Sequence, residues 1–245
     1  MRLRFFSILF AVSVWTLALM PPVWASDAIV LNTGVRDPFT TSANDGFVDR
    51  LVAEAFRRAG RKANVIVYQN SAKSLENANR GIDDGVALRI KGLEKKFPNL
   101  IRVPEKVMDN DFVAYAMSKP IETPDWSALA GYRIAYVNGW QIFQNNLKDH
   151  KQATKTKSAQ QMFDLLSANK VDLMLYERWQ GLWRAKQLGL RFIAGEPPLA
   201  KMEMFFYLNK KHESLVPEIA KALADMKRDG SYEEIFVQTL GKLQE

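Results

Sequence analysis

The sequence predicts an α/β fold built in two similar halves, and three observations support this prediction. Apolar runs of strand length alternate with segments of helical periodicity from residue 28 to residue 90. The alternation stops at Pro120 and Pro124 and then begins again. A strand–helix–strand order favours parallel pairing, because parallel strands need a crossover connection. The length suits one large domain or two domains of about 100 residues each.

The N-terminal residues differ in composition from the rest of the chain. Arg2 and Arg4 precede an uncharged, mostly apolar run, which two prolines end before small or aliphatic residues lead to Ala25. This pattern is typical of a cleavable secretory signal peptide, here residues 1–25. The alternative is an uncleaved membrane anchor, for which the apolar run is short. We therefore expect export to the periplasm.

The chain has no cysteine and a formal net charge of +7. An exported protein without cysteine has neither disulfides nor a lipid-attachment site, so we do not expect a lipoprotein. We interpret the lysine-rich stretch at residues 148–157 as a solvated loop that leads into a helix. The chain has no aromatic–basic motif for nucleic acid, and His150 and His212 lack metal-ligand spacing. We expect no nucleic-acid partner, no metal and no cofactor.

The first half contains three strands and two helices. The strands are predicted at AIVLNTG, ANVIVYQ and DGVALRI, each a short apolar run between turn residues. The helices are predicted at FVDRLVAEAFRRAG and SAKSLENANRG, and a glycine ends each of them. Two more strand-like runs, LIRVPEKV and DFVAYAMS, precede the prolines.

The second half repeats the alternation. Strands are predicted at YRIAYVNG, VDLMLYE and LRFIAG, with helices at WQIFQNNLKD, SAQQMFDLLSANK and RWQGLWRAKQLG. The second of these helices begins with Ser158 and Gln161, which are spaced as a capping box. A strand at KMEMFFYLNKKH and two helices joined at Asp229 and Gly230 close the chain. The second half is thus inserted, and the last helices are free to return to the first.

Five segments in this order resemble the periplasmic solute-binding proteins of family 3, the amino-acid-receptor type that serves membrane transporters. They are LNTGVRDPF, NRGIDDGVALRI, DWSALAGYRIAYVNGW, LLSANKVDLMLYE and ALADMKRDGSYEEIF. The resemblance implies the type II periplasmic-binding-protein fold, with two lobes, two crossing segments and a ligand cleft that closes by hinge motion. Lobe 1 would comprise residues 26–116 and 200–245, and lobe 2 residues 117–199. The crossings would lie near residues 115–119 and 194–201.

Arg89 and Glu177 are the first candidate ligand-binding residues. Each ends a predicted strand, and ligands of open α/β sheets bind outside the carboxyl ends of the strands. A guanidinium can hold a carboxylate with two parallel hydrogen bonds. The resemblance implies that an arginine of lobe 1 binds a ligand carboxylate, although it sits a few residues further on, and that an acid at the place of Glu177 binds an amine. The alternatives are structural ion pairs of Arg89 with Asp83, Asp84 or Glu94, and of Glu177 with Arg178 or Arg184.

The turn formed by Asn138, Gly139 and Trp140 is the next candidate. It leads from a strand into a helix, where free backbone N–H groups and the helix dipole favour an anion. The resembling receptors often have Ser or Thr after this turn. Trp140 takes that place here, and it could stack on a flat or apolar ligand or pack on the surface of the lobe.

Arg36, Phe39 and Lys73 complete the set of candidates. The resemblance places a ligand-stacking aromatic where Arg36 stands, so a cation replaces a ring. If Arg36, Lys73 and Arg89 meet in one cleft, three cations face a single acid. We therefore expect a small anionic or zwitterionic ligand, with an amino acid as the default that the resemblance implies.

The predicted function is that of a monomeric periplasmic receptor that captures a small solute for a membrane transporter. Such a protein needs no chemistry, only ligand contacts from both lobes. Two alternatives remain. One is a dehydratase-like enzyme on the same fold, with Glu177 as acid or base and Arg89 as anion anchor. The other is a ligand sensor that docks on a membrane signalling protein.

Overall fold

The computed structural model describes residues 28–244, and the predicted signal peptide lies outside these residues. Four strands precede a long fifth strand. The five are β1 Ile29–Thr33, β2 Ala63–Val67, β3 Gly85–Ile90, β4 Leu100–Arg102 and β5 Met108–Ala116. The later strands are β6 Ile134–Val137, β7 Ala153–Thr156, β8 Leu173–Glu177, β9 Ile193–Ala194 and β10 Ala200–Asn209.

Seven α-helices connect and cover these strands in the described part of the chain. Those of the first half are α1 Phe47–Arg58 and α2 Ser71–Asn79, and those of the second are α3 Gln141–Asn146, α4 Ala159–Ser167 and α5 Arg178–Gln187. The chain then ends with α6 Leu215–Asp229 and α7 Ser231–Thr239. The predicted elements are thus present in the predicted order.

The strands form one mixed sheet in the order β2-β1-β3-β10-β5-β8-β6-β7. Within the first half β1 pairs in parallel with β2 and β3, and within the second β6 pairs in parallel with β7 and β8. The predicted parallel pairing is therefore confirmed. The carboxyl ends of the parallel strands point at the junction between the halves, where the helices begin.

Strand β7 corrects one prediction. The stretch at residues 148–157 is interpreted from sequence as a solvated loop, but Ala153–Thr156 forms a strand beside β6. Thr154 and Lys155 stay exposed on this edge strand while its backbone completes the sheet. The polar composition of an edge strand therefore hid it from hydrophobic patterning.

The last two helices return to the first half, as predicted. Phe47 of α1 contacts Tyr232 and Phe236 of α7 edge-to-face, with ring centroids 5.8 and 6.0 Å apart. Ile219 and Leu223 of α6 are fully buried in the same apolar core. This core stabilises the first half through segments from both ends of the sequence.

The halves are joined where β5 and β10 run side by side. Residues 108–112 pair antiparallel with residues 200–204, and these are the segments that pass between the halves. The predicted second crossing, residues 194–201, ends inside this pairing. The predicted first crossing, residues 115–119, lies beyond it, because Tyr115 already pairs with Met174 of β8. The division of the whole chain into lobes stays a prediction.

Candidate functional site

A cavity of about 400 Å³ opens between the two halves. The halves and the two connecting strands all line it. Its lining consists of Gly34, Val35, Phe39, Ser71 and Leu88 from the first half, Trp140, Gln141, Ile142 and Gln180 from the second, and Asn110, Phe112, Met202 and Met204 from β5 and β10. None of these described residues is charged. A volume of this size suits a small molecule.

The connecting strands separate charged from uncharged side chains. Asn110 and Phe112 on β5, with Met202 and Met204 on β10, face the cavity. The residues between and beside them are charged: Asp109, Asp111, Lys201 and Glu203. Successive side chains of a strand point to opposite faces of the sheet. The floor of the cavity is therefore neutral, and the charges lie on the opposite face.

Trp140 forms one wall of the cavity, and it does so by packing on other rings. Its ring stacks on Phe143 with centroids 5.7 Å apart, meets Phe112 edge-to-face at 5.9 Å and lies 4.7 Å from the ring of Tyr176. The predicted packing of Trp140 on its own lobe is thus present, and its stacking on a ligand stays a prediction. A half-buried ring held by three others offers a rigid apolar surface.

Phe39 lines the cavity as well, but it is only 1% exposed and belongs to the core of the first half. Arg36 and Lys73 are exposed and do not line the cavity. In α2 the neighbouring Ser74 takes the buried position, which turns Lys73 towards solvent. The predicted convergence of three cations in the cleft is therefore not formed.

Arg89 is turned away by an irregularity in β3. Leu88 has a positive φ of 60°. Arg89 pairs with Phe205 and Val86 with Tyr207, so two residues of β3 lie opposite a single residue of β10. An extra residue of this kind is a β-bulge, which breaks the alternation of side chains. Ala87 and Leu88 consequently share the core beside α1, while Val86 packs beside α2. Arg89 then points to the α2 side.

The guanidinium of Arg89 has one hydrogen-bond partner. Its Nη2 donates to the Ser74 hydroxyl at 3.0 Å, while its Nε is buried without a partner among the described residues. Ser74 donates in turn to Asn32, whose amide donates to Asp83 at 2.6 Å. Burial lowers the pKa of Arg89 to about 10. None of the predicted ion pairs with Asp83, Asp84 or Glu94 is formed.

Glu177 caps a helix instead of facing the cavity. Its two carboxylate oxygens accept hydrogen bonds from the backbone N–H groups of Trp179 and Gln180, at 3.1 and 2.8 Å. The residue is 1% exposed, and burial raises the pKa of its carboxyl group to about 8. This placement replaces both interpretations drawn from sequence, a contact with a ligand amine and an ion pair with Arg178 or Arg184. The reason is its position directly before α5, where orphan N–H groups need an acceptor.

The turn at Asn138 and Gly139 does not present its N–H groups to the cavity. The N–H of Asn138 donates to Thr156, and the N–H of Gly139 donates to the side chain of Gln144. The positive φ of 94° at Gly139 suits glycine. Of this predicted trio, Trp140 is the member that lines the cavity.

Arg178, the first residue of α5, joins three segments. Its Nε is 3.2 Å from Asp111 on β5, and its Nη1 is 2.7 Å from Glu196, which precedes β10. Its backbone oxygen accepts a hydrogen bond from the hydroxyl of Tyr115. Burial lowers the pKa of Arg178, but the two carboxylates outweigh it and hold that pKa above its ordinary value. This arginine connects α5 to both segments that pass between the halves.

The residues that sequence reasoning missed are those of the connecting strands. Asn110, Phe112, Met202 and Met204 were assigned to strands but not to a site. The signal was present, because charged and uncharged residues alternate with period two in MDNDF and again in AKMEM. The pattern does not show which face of these strands meets the cavity, because that depends on how the two strands pair with each other.

A larger cavity, about 680 Å³, lies elsewhere along α5. It is bounded by α5, by β9 and by Leu243 and Gln244, and the connecting strands do not line it. Within residues 28–244, no helix combines the length and apolar character needed to cross a membrane. No cluster of three potential metal ligands is found in the same residues.

Comparison with known proteins supports the fold. No family model matches the sequence. An uncharacterized protein of Shewanella oneidensis is 25% identical over 179 residues, which make up 66% of this chain. The match spans 63% of that relative's length, so it does not extend to the whole relative.

Three solved structures superpose over most of the chain. The second substrate binding domain assigned to an amino acid ABC transporter of Streptococcus pneumoniae has a TM-score of 0.68 and 16% identity, covering 87% of this chain and 99% of that one. A histidine kinase sensor domain with similarity to periplasmic binding proteins has a TM-score of 0.67 and 15% identity, covering 89% and 97%. The ligand-binding core of GluR0 from Nostoc punctiforme, in complex with L-glutamate, has a TM-score of 0.64 and 16% identity, covering 86% and 98%. The predicted two-lobed fold of solute-binding domains is confirmed.

Proposed function

We propose that this protein is a periplasmic solute-binding protein whose two halves close on a small molecule held between them. The observation that carries the proposal is the cavity of about 400 Å³, which both halves and both connecting strands line. A ligand that contacts both halves binds the closed arrangement more tightly than the open one, so it shifts the population towards closure. The fold shared with substrate-binding domains supports the same function.

The partner that we propose is a membrane transporter, which would receive the solute from the closed protein. The similarity to a substrate binding domain assigned to an amino acid ABC transporter supports this partner. A sensor role is the second candidate, since a histidine kinase sensor domain is about equally similar. In that case the closed protein would dock on a membrane signalling protein.

The dehydratase-like alternative has less support. It requires Glu177 as an acid or base next to the ligand, but this carboxyl group is 1% exposed and caps α5. General acid–base catalysis needs the group within hydrogen-bond reach of the reacting atoms. The described lining of the cavity contains no carboxyl group. Binding is therefore the function that we propose.

A thermal-shift screen of the purified protein against amino acids, organic acids, amines, sugars and neutral aromatic compounds tests this proposal. A ligand at 100 times its dissociation constant adds about 2.7 kcal/mol to the free energy of unfolding, which raises Tm by several degrees. Small-angle scattering should then record a smaller radius of gyration with the ligand bound. If no compound raises Tm and the radius never changes, the protein is not a receptor for small solutes.

Two substitutions at neighbouring positions test whether a compound that raises Tm binds in the cavity. Met202→Lys places a charge in the neutral floor and should abolish the thermal shift. Glu203→Lys places the same side chain on the opposite, 48% exposed face and should leave the shift unchanged. Equal effects of the two substitutions would mean that the compound binds elsewhere.

A further inference from the structure

We infer that the cleft takes an uncharged, flat apolar molecule that carries an N–H or O–H donor, rather than a carboxylate-bearing amino acid. This inference rests on the proposed function and names the ligand class of the same site. Four features of the cavity and its surroundings support it.

The first feature is the neutral lining. The alternation of side chains on β5 and β10 sends Asp109, Asp111, Lys201 and Glu203 to the face opposite the cavity floor. A carboxylate ligand would lose its hydration in the cleft and would find no lining cation in return. An uncharged ligand has no such penalty.

The second feature is the aromatic wall. Trp140 is held against Phe112, Phe143 and Tyr176, so its ring is already fixed before a ligand binds. Met202 and Met204 add flexible, polarizable side chains that adapt to the shape of an apolar ligand. A rigid ring with adaptable neighbours suits a flat molecule.

The third feature is an unused acceptor. The side-chain oxygen Oδ1 of Asn110 is buried and has no hydrogen-bond partner among the described residues. Asn110 lines the cavity and pairs with Met202 across the two connecting strands. A buried acceptor without a donor is unfavourable, and a ligand N–H or O–H would satisfy it. This atom therefore specifies a donor on the ligand.

The fourth feature is the direction of Arg89. The bulge at Leu88 turns this guanidinium towards Ser74, and Arg89 does not line the cavity. The sequence predicts that Arg89 binds a ligand carboxylate, whereas in the structure its guanidinium donates to the hydroxyl of Ser74. A ligand of the cleft is thus recognised without a fixed cation.

Matched probes separate the two ligand classes. Benzamide is compared with benzoate, indole with 1-methylindole, and L-glutamate serves as the charged amino acid, with dissociation constants measured by calorimetry on the purified protein. We expect benzamide to bind at least about tenfold more tightly than benzoate, and indole more tightly than 1-methylindole, which lacks the N–H donor.

Three variants assign the affinity to residues. Asn110→Leu removes the acceptor and should weaken indole by about tenfold, and Trp140→Leu should weaken both neutral probes. Arg89→Met should leave the affinity for indole within about twofold. Circular dichroism establishes that each variant is folded. If Asn110→Leu fails this control, it is replaced by Asn110→Ala, which also removes the acceptor and should likewise weaken indole.

The results discriminate between the inference and the proposed function. If benzoate or L-glutamate binds as tightly as the neutral probes and Arg89→Met abolishes that binding, the ligand is an anion held by Arg89. The inference is then overturned, while the receptor function stands. If no probe of either class binds and the wider screen is also negative, both the inference and the proposed function fail.

Discussion

Arg89 donates from Nη2 to the hydroxyl of Ser74 at 3.0 Å, and its buried Nε is without a partner in the described part of the chain. The positive charge thus sits in the first half beside a neutral hydroxyl rather than a carboxylate. Arg178 offers the contrast, since it is also largely enclosed by protein but contacts both Asp111 and Glu196. The two arginines should respond oppositely to removal of their charge.

Replacing Arg89 by methionine should stabilise the protein. Burial lowers the pKa of Arg89 to about 10, so the folded state disfavours its charge, and methionine fills a similar length without charge. We expect the free energy of unfolding to rise by about 1 kcal/mol, measured by urea unfolding. Arg133→Met removes a half-exposed arginine bound to Asp172 and should lower stability slightly. A clear loss of stability in Arg89→Met would mean that the guanidinium has a partner in solution.

Replacing Arg178 by methionine should destabilise the protein. The change leaves Asp111 without its arginine while that carboxylate is 17% exposed on a connecting strand. Loss of one partner from a buried ion pair costs about 3 kcal/mol, and Tm should fall by several degrees. Lys201→Met removes only a 4.0 Å contact to the same carboxylate from an exposed side chain and should change stability by less than about 0.5 kcal/mol. Similar losses in both variants would contradict a specific role of Arg178.

Glu177 should make stability depend on pH. Its pKa is raised in the folded state to about 8 from the ordinary value of 4.5, because the carboxyl group is buried. Between these values the folded protein holds a proton that the unfolded chain has released, so stability falls as pH rises through this window. The slope that one such group adds is at most about 1.4 kcal/mol per pH unit.

The variant Glu177→Gln isolates this contribution. Glutamine cannot ionise, so urea unfolding measured from about pH 5 to about pH 8 should show a shallower decline than in the unchanged protein. The variant should also lose part of the cap of α5, which lowers its stability at all pH values by about 1 kcal/mol. Parallel pH profiles for the two proteins would show that Glu177 keeps an ordinary pKa.

Replacing Gly181 by alanine should destabilise the protein although Gly181 lies inside a helix. Alanine in a helix interior is normally favoured over glycine by about 1 kcal/mol. Here the added Cβ would lie 2.4 Å from the ring of Tyr115, which is fully buried. We expect a net loss of about 1–3 kcal/mol in thermal or urea unfolding. In a Tyr115→Leu background the same substitution should cost less, and an undiminished cost would exclude the steric explanation.

The prediction of the fold from sequence succeeded where the hydrophobic pattern was long. The residues of helix α1 and strand β1 show the hydrophobic periodicity of a helix and of a strand, and a glycine follows each element. Local sequence is therefore enough to specify them. Strand β7 was missed because threonine and lysine on an edge strand resemble a loop. Its strand character comes from its neighbour β6 rather than from its own composition.

The ligand-binding role of the predicted site residues stays a prediction. Phe39 and Trp140 are the predicted residues that line the cavity, together with others that were not predicted. Glu177 could have been recognised as a helix cap, because it is an acidic residue directly before a helical segment. The expected ligand contact of Glu177 came from the resemblance to amino-acid receptors. The resemblance predicts the fold correctly, but in this chain Glu177 caps α5.

The sequence by itself determined the order of the strands and helices other than β7, and the parallel pairing within each half, because these follow from local hydrophobic periodicity. Only the tertiary structure decided where the charges point. The bulge at Leu88 forms where β3 meets β10, two segments more than 100 residues apart in the chain, and it turns Arg89 to Ser74. A one-residue shift in a strand reverses the faces of the side chains that follow, and no pattern within one strand reveals such a shift.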